Sequence, residues 1–242
     1  MAESPVLSTY REGSLHASAK EIYARDGGVT EANVAGFVVD VVRDDELVEI
    51  QTGSFASAAR KLRRLVVDHR IVLVYPIAVE RWLLRVDADG AVLARRRSPK
   101  RGRPFDLFEE LVAFPELVAH PNFRVELPMI REEEVRGPIP ADARYRYPRE
   151  WWRLDRRLLE IVETIRIDDP ADLLALLPPG LPSPFTTADI AAASRRSKRL
   201  SMRAAYCLSK AGAIRSLGRA GRLIAYEVEP AERSAADLPA GQ

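Results

Sequence analysis

One cysteine in 242 residues takes disulfides out of the account. Cys207 has no partner within the chain, so no disulfide framework staples the fold, as expected for a protein of the reducing cytoplasm. Long apolar runs are missing too. None approaches the roughly 20 residues that span a bilayer, so no membrane role is expected. The N-terminal MAESPVLSTYREG is polar and lacks the apolar centre of a signal peptide. There is no internal repeat. A one-sided charge is also lacking: 37 Lys and Arg face 35 Asp and Glu, a formal net charge of +2. That balance hides segregation. Residues 44–45 and IREEEVRG are acidic, whereas residues 95–103 and the C-terminal third are basic. A polyanion meets local patches, not the net charge. A hydrophobic content of 47% is ordinary and supports a sizeable core. The length allows one large domain or two modest ones.

Residues 37–52, FVVDVVRDDELVEIQT, read as two apolar strands joined by a tight turn at Asp44-Asp45. In that register Arg43 faces Glu46, Val42 faces Leu47 and Asp40 faces Glu49. Gln51 shares a face with Glu49, because strand side chains alternate. Like charges directly across a ladder are destabilising. Two acids on an apolar hairpin therefore suggest an oxygen site for a divalent metal, with a solvated surface hairpin as the alternative.

Around the hairpin, residues 14–25 read as a helix burying Leu15, Ala19, Ile22 and Tyr23. Residues 54–68 read as a second helix, with Phe55, Ala58, Leu62, Leu65 and Val66 inward. Residues 70–77 form a near-continuous apolar run fit for a strand buried on both faces, and 79–86 read as its neighbour. A basic loop, ARRRSPKRGR, precedes a short amphipathic helix over 105–114. Residues 123–135 read as a late strand whose end, Glu132–Glu134, is exposed. The proline-rich stretch 138–150 reads as a linker between a first domain, 1–137, and a second, 151–229. That second unit opens with a strong helix over 151–167 and a short one over 170–177. Residues 230–242 read as a disordered tail.

Residues 185–229 give helix, basic turn, helix and hairpin, the layout of a winged helix. Arg195, Arg196, Lys198, Arg199 and Arg203 sit at the start of its second helix. Arg215, Arg219 and Arg222 lie around the wing. These are the elements that would meet the groove and the phosphates of DNA, with dimerisation or internal packing as the alternative. Lys100 and Arg101 of SPKRG are candidates for a phosphate-backbone clamp.

Asp40 followed across a hairpin by Glu49-Ile50-Gln51, in the order helix-strand-strand-helix-strand-strand, resembles the PD-(D/E)XK nuclease superfamily. The whole chain is similar to an uncharacterised bacterial family that joins such a core to a C-terminal winged helix. SLHASAKEIYA, VDVVRDDELVEIQT, RIVLVYPIAVERWLLRVD, SPKRG, FPELVAHPNF, IREEEVRG and DLLALLPPGLPSPFTTADIA carry that likeness over roughly residues 12–227. It implies an α/β (α+β) fold with a PD-(D/E)XK restriction endonuclease-like core and a winged helix-turn-helix domain. It also implies Mg²⁺ or Mn²⁺ held by Asp40, Glu49 and the carbonyl of Ile50, and phosphodiester hydrolysis on DNA. Val39 departs from the usual proline. Gln51 stands where most members have a catalytic lysine, which removes a cation from the reacting phosphate. Lys61, on the following helix, is the candidate to replace it, although Arg60, Lys61, Arg63 and Arg64 also read as a solvated face. Glu12 stands where the first helix often carries an acid. His16 and Lys20, four apart on one helix face, can reach toward a phosphate. The expected function is a metal-dependent endonuclease with winged-helix DNA binding. The alternative is a catalytically inactive nuclease-fold regulator, and a homodimer is left open.

Overall fold

A computed structural model describes residues 13–25, 27–139 and 150–229. Glu12, most of the expected linker and the expected tail lie outside the described residues. The first helix, α1 (Ser14–Tyr23), leads through β1 (Val29–Val34) into the hairpin β2 (Phe37–Arg43) and β3 (Glu46–Ile50). The expected register holds where the ladder is formed: Arg43 pairs with Glu46, Val42 with Leu47 and Val41 with Val48. β1 was not legible in the sequence. Most of its residues are exposed, so it lacks apolar alternation, and it reaches β2 through Ala35-Gly36, both at positive φ as a tight hairpin turn requires.

After β3, a 3-10 turn at Phe55–Ser57 and α2 (Ala59–Leu65) cross to β4 (Arg70–Val74), which pairs parallel with β3. The crossover buries Phe55, Ala58, Leu62, Leu65 and Val66, the stripe expected of it. β5 (Ile77–Val86) is not the neighbour of β4, contrary to expectation. β7 (Phe123–Gly137) lies beside both, pairing parallel with β4 through residues 123–126 and with β5 through residues 129–136. β4 and β5 thus follow one another along β7, separated at Tyr75-Pro76, where proline cannot donate to a ladder. β6 (Val92–Arg97) edges β5. The stretch expected as one amphipathic helix is instead a chain of 3-10 turns at Pro104–Glu109, Leu111–Ala113 and Pro115–Ala119.

The largest correction concerns residues 151–167, expected as a helix. They form a strand, β8 (Trp152–Ile167), antiparallel to β7 along nearly its whole length. The misreading has a physical cause. Leu154, Leu159 and Val162 each fall at a break in the register, an extra residue that resets the alternation. The apolar spacing Leu154, Leu158, Ile161 and Ile165 then imitates a helix. The inserted residues point outward, with Leu154 44%, Leu159 47% and Val162 46% exposed. Bulges and charges also blunt this sheet edge against pairing with another chain. The central mixed sheet therefore continues past the segment expected to be a linker.

Glu132–Glu134 require a second correction. They are buried, not exposed, and each meets arginine. Arg81 and Arg156 hold Glu132, Arg95 holds Glu133, and Arg81 and Arg136 hold Glu134. The C-terminal unit is a small three-stranded antiparallel sheet with three helices. Its parts are α3 (Pro170–Leu174), β9 (Phe185–Thr186), α4 (Thr187–Ser194), α5 (Lys198–Lys210), β10 (Ile214–Ala220) and β11 (Leu223–Val228). The expected helix-turn-helix-hairpin order is present. Leu200, Ala204 and Leu208 of α5 join one apolar cluster with Leu107, Phe108 and Leu111 of the 3-10 segment, so this unit is docked on the sheet-bearing part.

Phe55, fully buried, stacks on Phe114 at 5.4 Å and meets Tyr75 edge-on at 4.9 Å. Phe55→Ala is expected to cost about 3–5 kcal/mol in denaturant unfolding. Leu159→Ala, at a bulge on the exposed edge, should change stability by less than about 0.5 kcal/mol. A large loss at Leu159 would favour a packed helix there.

Candidate active site

The β2–β3 ladder stops at Val41 and Val48, and the acids lie just beyond its end. Val39 and Val41, two apart, belong to different apolar clusters, so β2 departs from simple alternation at Asp40. Glu31, on the adjacent strand, has φ 56. With the ladder ended, Asp40 Oδ2 accepts the Ile50 N–H at 2.8 Å. The Asp40 side chain thus does at this end of the hairpin what a main-chain carbonyl does elsewhere in a ladder.

α1 and α2 then bring in two cations. Leu15, Ala19 and Tyr23 bury one side of α1, which leaves His16 facing the hairpin end. His16 Nε2 lies 3.1 Å from the Ile50 carbonyl and 3.3 Å from Asp40 Oδ2. Both are acceptors, so Nε2 carries the proton. Lys20 does not join it: its ammonium pairs with Glu31 at 2.9 Å. On α2, burial of Ala59, Leu62 and Leu65 turns Lys61 back over β3. Its ammonium donates to Glu49 Oε2 at 2.5 Å and to the Val38 carbonyl at 2.9 Å. Lys61 is therefore not part of the solvated face that its neighbours Arg60, Arg63 and Arg64 form. Gln51 Nε2 donates to the other oxygen, Glu49 Oε1, at 3.0 Å. Asp40, Glu49, Ile50, Gln51 and Lys61 are thus gathered as the sequence suggested, with His16 added from α1.

The two carboxyls are driven apart in acidity. Burial alone would raise Asp40, but the His16 and Ile50 hydrogen bonds, with the charges of His16 and Lys61, hold it below its ordinary value. Glu49 goes the other way. Its burial and the Asp40 charge raise it against the pull of Lys61 and Gln51.

The oxygen donors here suit a hard divalent cation. Mg²⁺ commonly takes one or two carboxylates and completes its shell with water and phosphate oxygens. Asp40, Glu49 and the Ile50 carbonyl supply that many. Among the described residues no group of three or more His, Cys, Asp or Glu is placed to hold a metal ion, so a cation here would lean on two carboxylates and a carbonyl. A cation seated on these oxygens would take over roles now filled by the Lys61 ammonium on Glu49 and the His16 N–H on Ile50.

The basic residues divide into two sets. Arg196 pairs with Asp106 at 2.6 Å, and Arg203 and Arg199 with Glu109 at 2.5 and 3.8 Å, so the start of α5 is tied to the 3-10 segment. Arg215 pairs with Glu227 and Glu229. Arg195, Lys198, Arg219 and Arg222 are exposed. Lys100 and Arg101 are exposed beside a cleft that also takes in Thr52, one residue past Gln51. Sequence reasoning missed Arg81 and Arg156 in that cleft, whose partner acids are distant in the chain. Cys207 is buried and its thiol is pushed up to about 12 by burial, which makes it inert as a nucleophile.

The chain belongs to the family described as a domain of unknown function, DUF8091, whose model matches residues 13–168. That span runs from the start of α1 through β8 and contains all the gathered site residues. An "Uncharacterized protein" of Treponema pallidum (strain Nichols) is 28% identical over 187 residues, covering 76% of this chain and 73% of that protein. No solved structure matches the chain. Among the described residues no helix is long and apolar enough to cross a membrane.

Lys61→Ala leaves Glu49 buried without its cation. At pH 7 the variant is expected to lose about 1–3 kcal/mol. Glu49 has a raised folded pKa, so the folded protein binds its proton more tightly, and stability falls as pH rises through that value. The deficit should therefore shrink as pH falls from neutrality through that raised value. Denaturant unfolding of both proteins across this range measures it. A pH-independent deficit would mean that Lys61 acts through packing alone.

Proposed function

We propose that this protein is a metal-dependent phosphodiesterase acting on DNA, with a PD-(D/E)XK-type core and a winged-helix unit. The observation that carries the reading is Lys61. Gln51 occupies the position where that superfamily usually has its lysine, and a cation from the next helix reaches the same carboxylate, Glu49, from another direction. The alternative is an inactive DNA-binding regulator, in which the Lys61–Glu49 pair only stabilises the fold; nicking separates the two. The sheet order β10-β11-β9 with α4 and α5 favours the winged-helix assignment.

In this reading Asp40, Glu49 and the Ile50 carbonyl hold Mg²⁺ or Mn²⁺. The bound ion would polarise the scissile phosphate and lower the pKa of the attacking water. Gln51 donates a hydrogen bond to that water or to a phosphoryl oxygen. Lys61, displaced from Glu49, offers its ammonium to the charge that builds on the pentavalent phosphorus. His16 keeps Asp40 ionised and turned toward the site. Arg219 and Arg222 on the wing, with Arg195 before α5 and Lys198 at its start, contact phosphates outside the reacting group. Arg196, Arg199 and Arg203 instead hold the two units together, which narrows the DNA-contacting set.

Plasmid nicking in Mn²⁺ tests the chemistry. The wild type should nick, Asp40→Ala should abolish nicking, and Lys61→Ala should lower the rate about 100-fold with DNA affinity nearly unchanged. Gln51→Lys should keep or raise the rate. Nicking that survives Asp40→Ala would remove this mechanism. The DNA-binding part is tested separately: replacing Arg219 and Arg222 by alanine should flatten the salt dependence of duplex affinity by about one unit per lost contact. An unchanged slope would take the wing out of the interface.

A further inference from the structure

A cleft of about 730 Å³ opens between the sheet and the C-terminal unit. Six cationic side chains line it: Arg81, Lys100, Arg101, Arg103, Arg156 and Arg196. One acid, Asp106, shares the wall, and Arg196 pairs with it. Arg81 and Arg156 are fixed from behind by Glu132, which is fully buried. A buried acid binding two arginines costs desolvation. It also locks two guanidinium groups at the cleft wall. Arg156 further donates to the Thr52 carbonyl at 2.9 Å, which ties this wall to the strand end that carries Gln51.

The SPKRG loop beside it is also ordered. It is pinned to β5 by two main-chain hydrogen bonds, Ser98 N–H to the Arg81 carbonyl at 2.8 Å and Gly102 N–H to the Ala78 carbonyl at 2.7 Å. Gly102 is required there: a Cβ would stand 2.6 Å from Ile77 Cγ2 and 2.8 Å from the Ala78 carbonyl oxygen. The pinned loop presents Lys100 and Arg101, both exposed at the cleft. Exposed Lys100 and Arg101, beside the anchored guanidinium groups of Arg81 and Arg156, offer donors to phosphoryl oxygens.

We propose that this cleft binds the phosphodiester backbone of the nucleic-acid strand entering or leaving the Asp40–Glu49 site. The inference rests on the phosphodiesterase reading for the identity of the strand, and on the cleft itself for the anion. A free nucleotide offers the same phosphoryl chemistry, so the experiment compares the two sources.

The test is equilibrium binding of a fluorescent oligothymidylate to the full chain in EDTA, which keeps the reacting site out of the readout. Lys100→Ala/Arg101→Ala is expected to weaken binding about tenfold or more, and to lower the salt slope by about 0.7 per lost single-strand contact. Gly102→Ala, which removes no charge, should weaken it too by lifting the loop, with Arg101→Lys as a milder control. Inorganic phosphate and thymidine monophosphate should compete far more weakly than unlabelled oligothymidylate. Unchanged affinity in the double variant, with its melting temperature intact, would overturn the proposal. Competition by the mononucleotide as strong as by the oligonucleotide would overturn the strand as the ligand. If the cleft variants lose binding while Mn²⁺ fails to stabilise the wild type against heat, the cleft stands and the phosphodiesterase reading falls.

Discussion

The ammonium of Lys61 against the buried carboxylate of Glu49 is the interaction on which the site depends. Glu49 lies on β3 beside Val48 and Ile50, in a part of the sheet that otherwise excludes water. An acid there needs a cation or a proton. The protein offers a lysine from the crossover helix, an amide from Gln51, and a carboxyl acidity shifted toward holding a proton. Each of these is a partner that a divalent ion could replace. These groups keep the two carboxyls in place in the fold, and in the proposed phosphodiesterase they would act on a phosphate once a cation engages the acids.

The same device recurs on a larger scale along β7. Three successive glutamates are buried in one strand, and arginines from β5, β6 and β8 reach them from both sides. Such pairs add little net stability over apolar residues. Their consequence is geometric. Arg81 and Arg156 are held where the cleft needs positive charge, and Arg156 spans from β8 to the end of β3. The position of β8 therefore shapes the cleft, because Arg156 carries one wall of it to within a hydrogen bond of Thr52.

Much of the site was legible because it rests on local pattern. The turn at Asp44-Asp45 sets the hairpin register, and register sets which side chains meet across it. The buried stripe of α2 was legible for the same reason, so the reach of Lys61 could be anticipated. What escaped was whatever depended on distant partners. Glu132–Glu134 read as an exposed strand end because their arginines lie up to some fifty residues away. β8 read as a helix because three bulges give its apolar residues a helical spacing. β7 was not foreseen beside β4 because a partner strand from later in the chain leaves no mark on the segments it pairs with. His16 was noted on its helix face, but its bond to the Ile50 carbonyl depends on how α1 crosses the sheet.

The central claim is that Asp40, Glu49 and the Ile50 carbonyl form a divalent-cation site guarded by Lys61. Anomalous diffraction from crystals grown in saturating Mn²⁺ tests it most directly. The account predicts a peak bonded to both carboxylates and the Ile50 oxygen, with the Lys61 ammonium withdrawn from Glu49. A map with no peak there, and Lys61 still on Glu49, would contradict it.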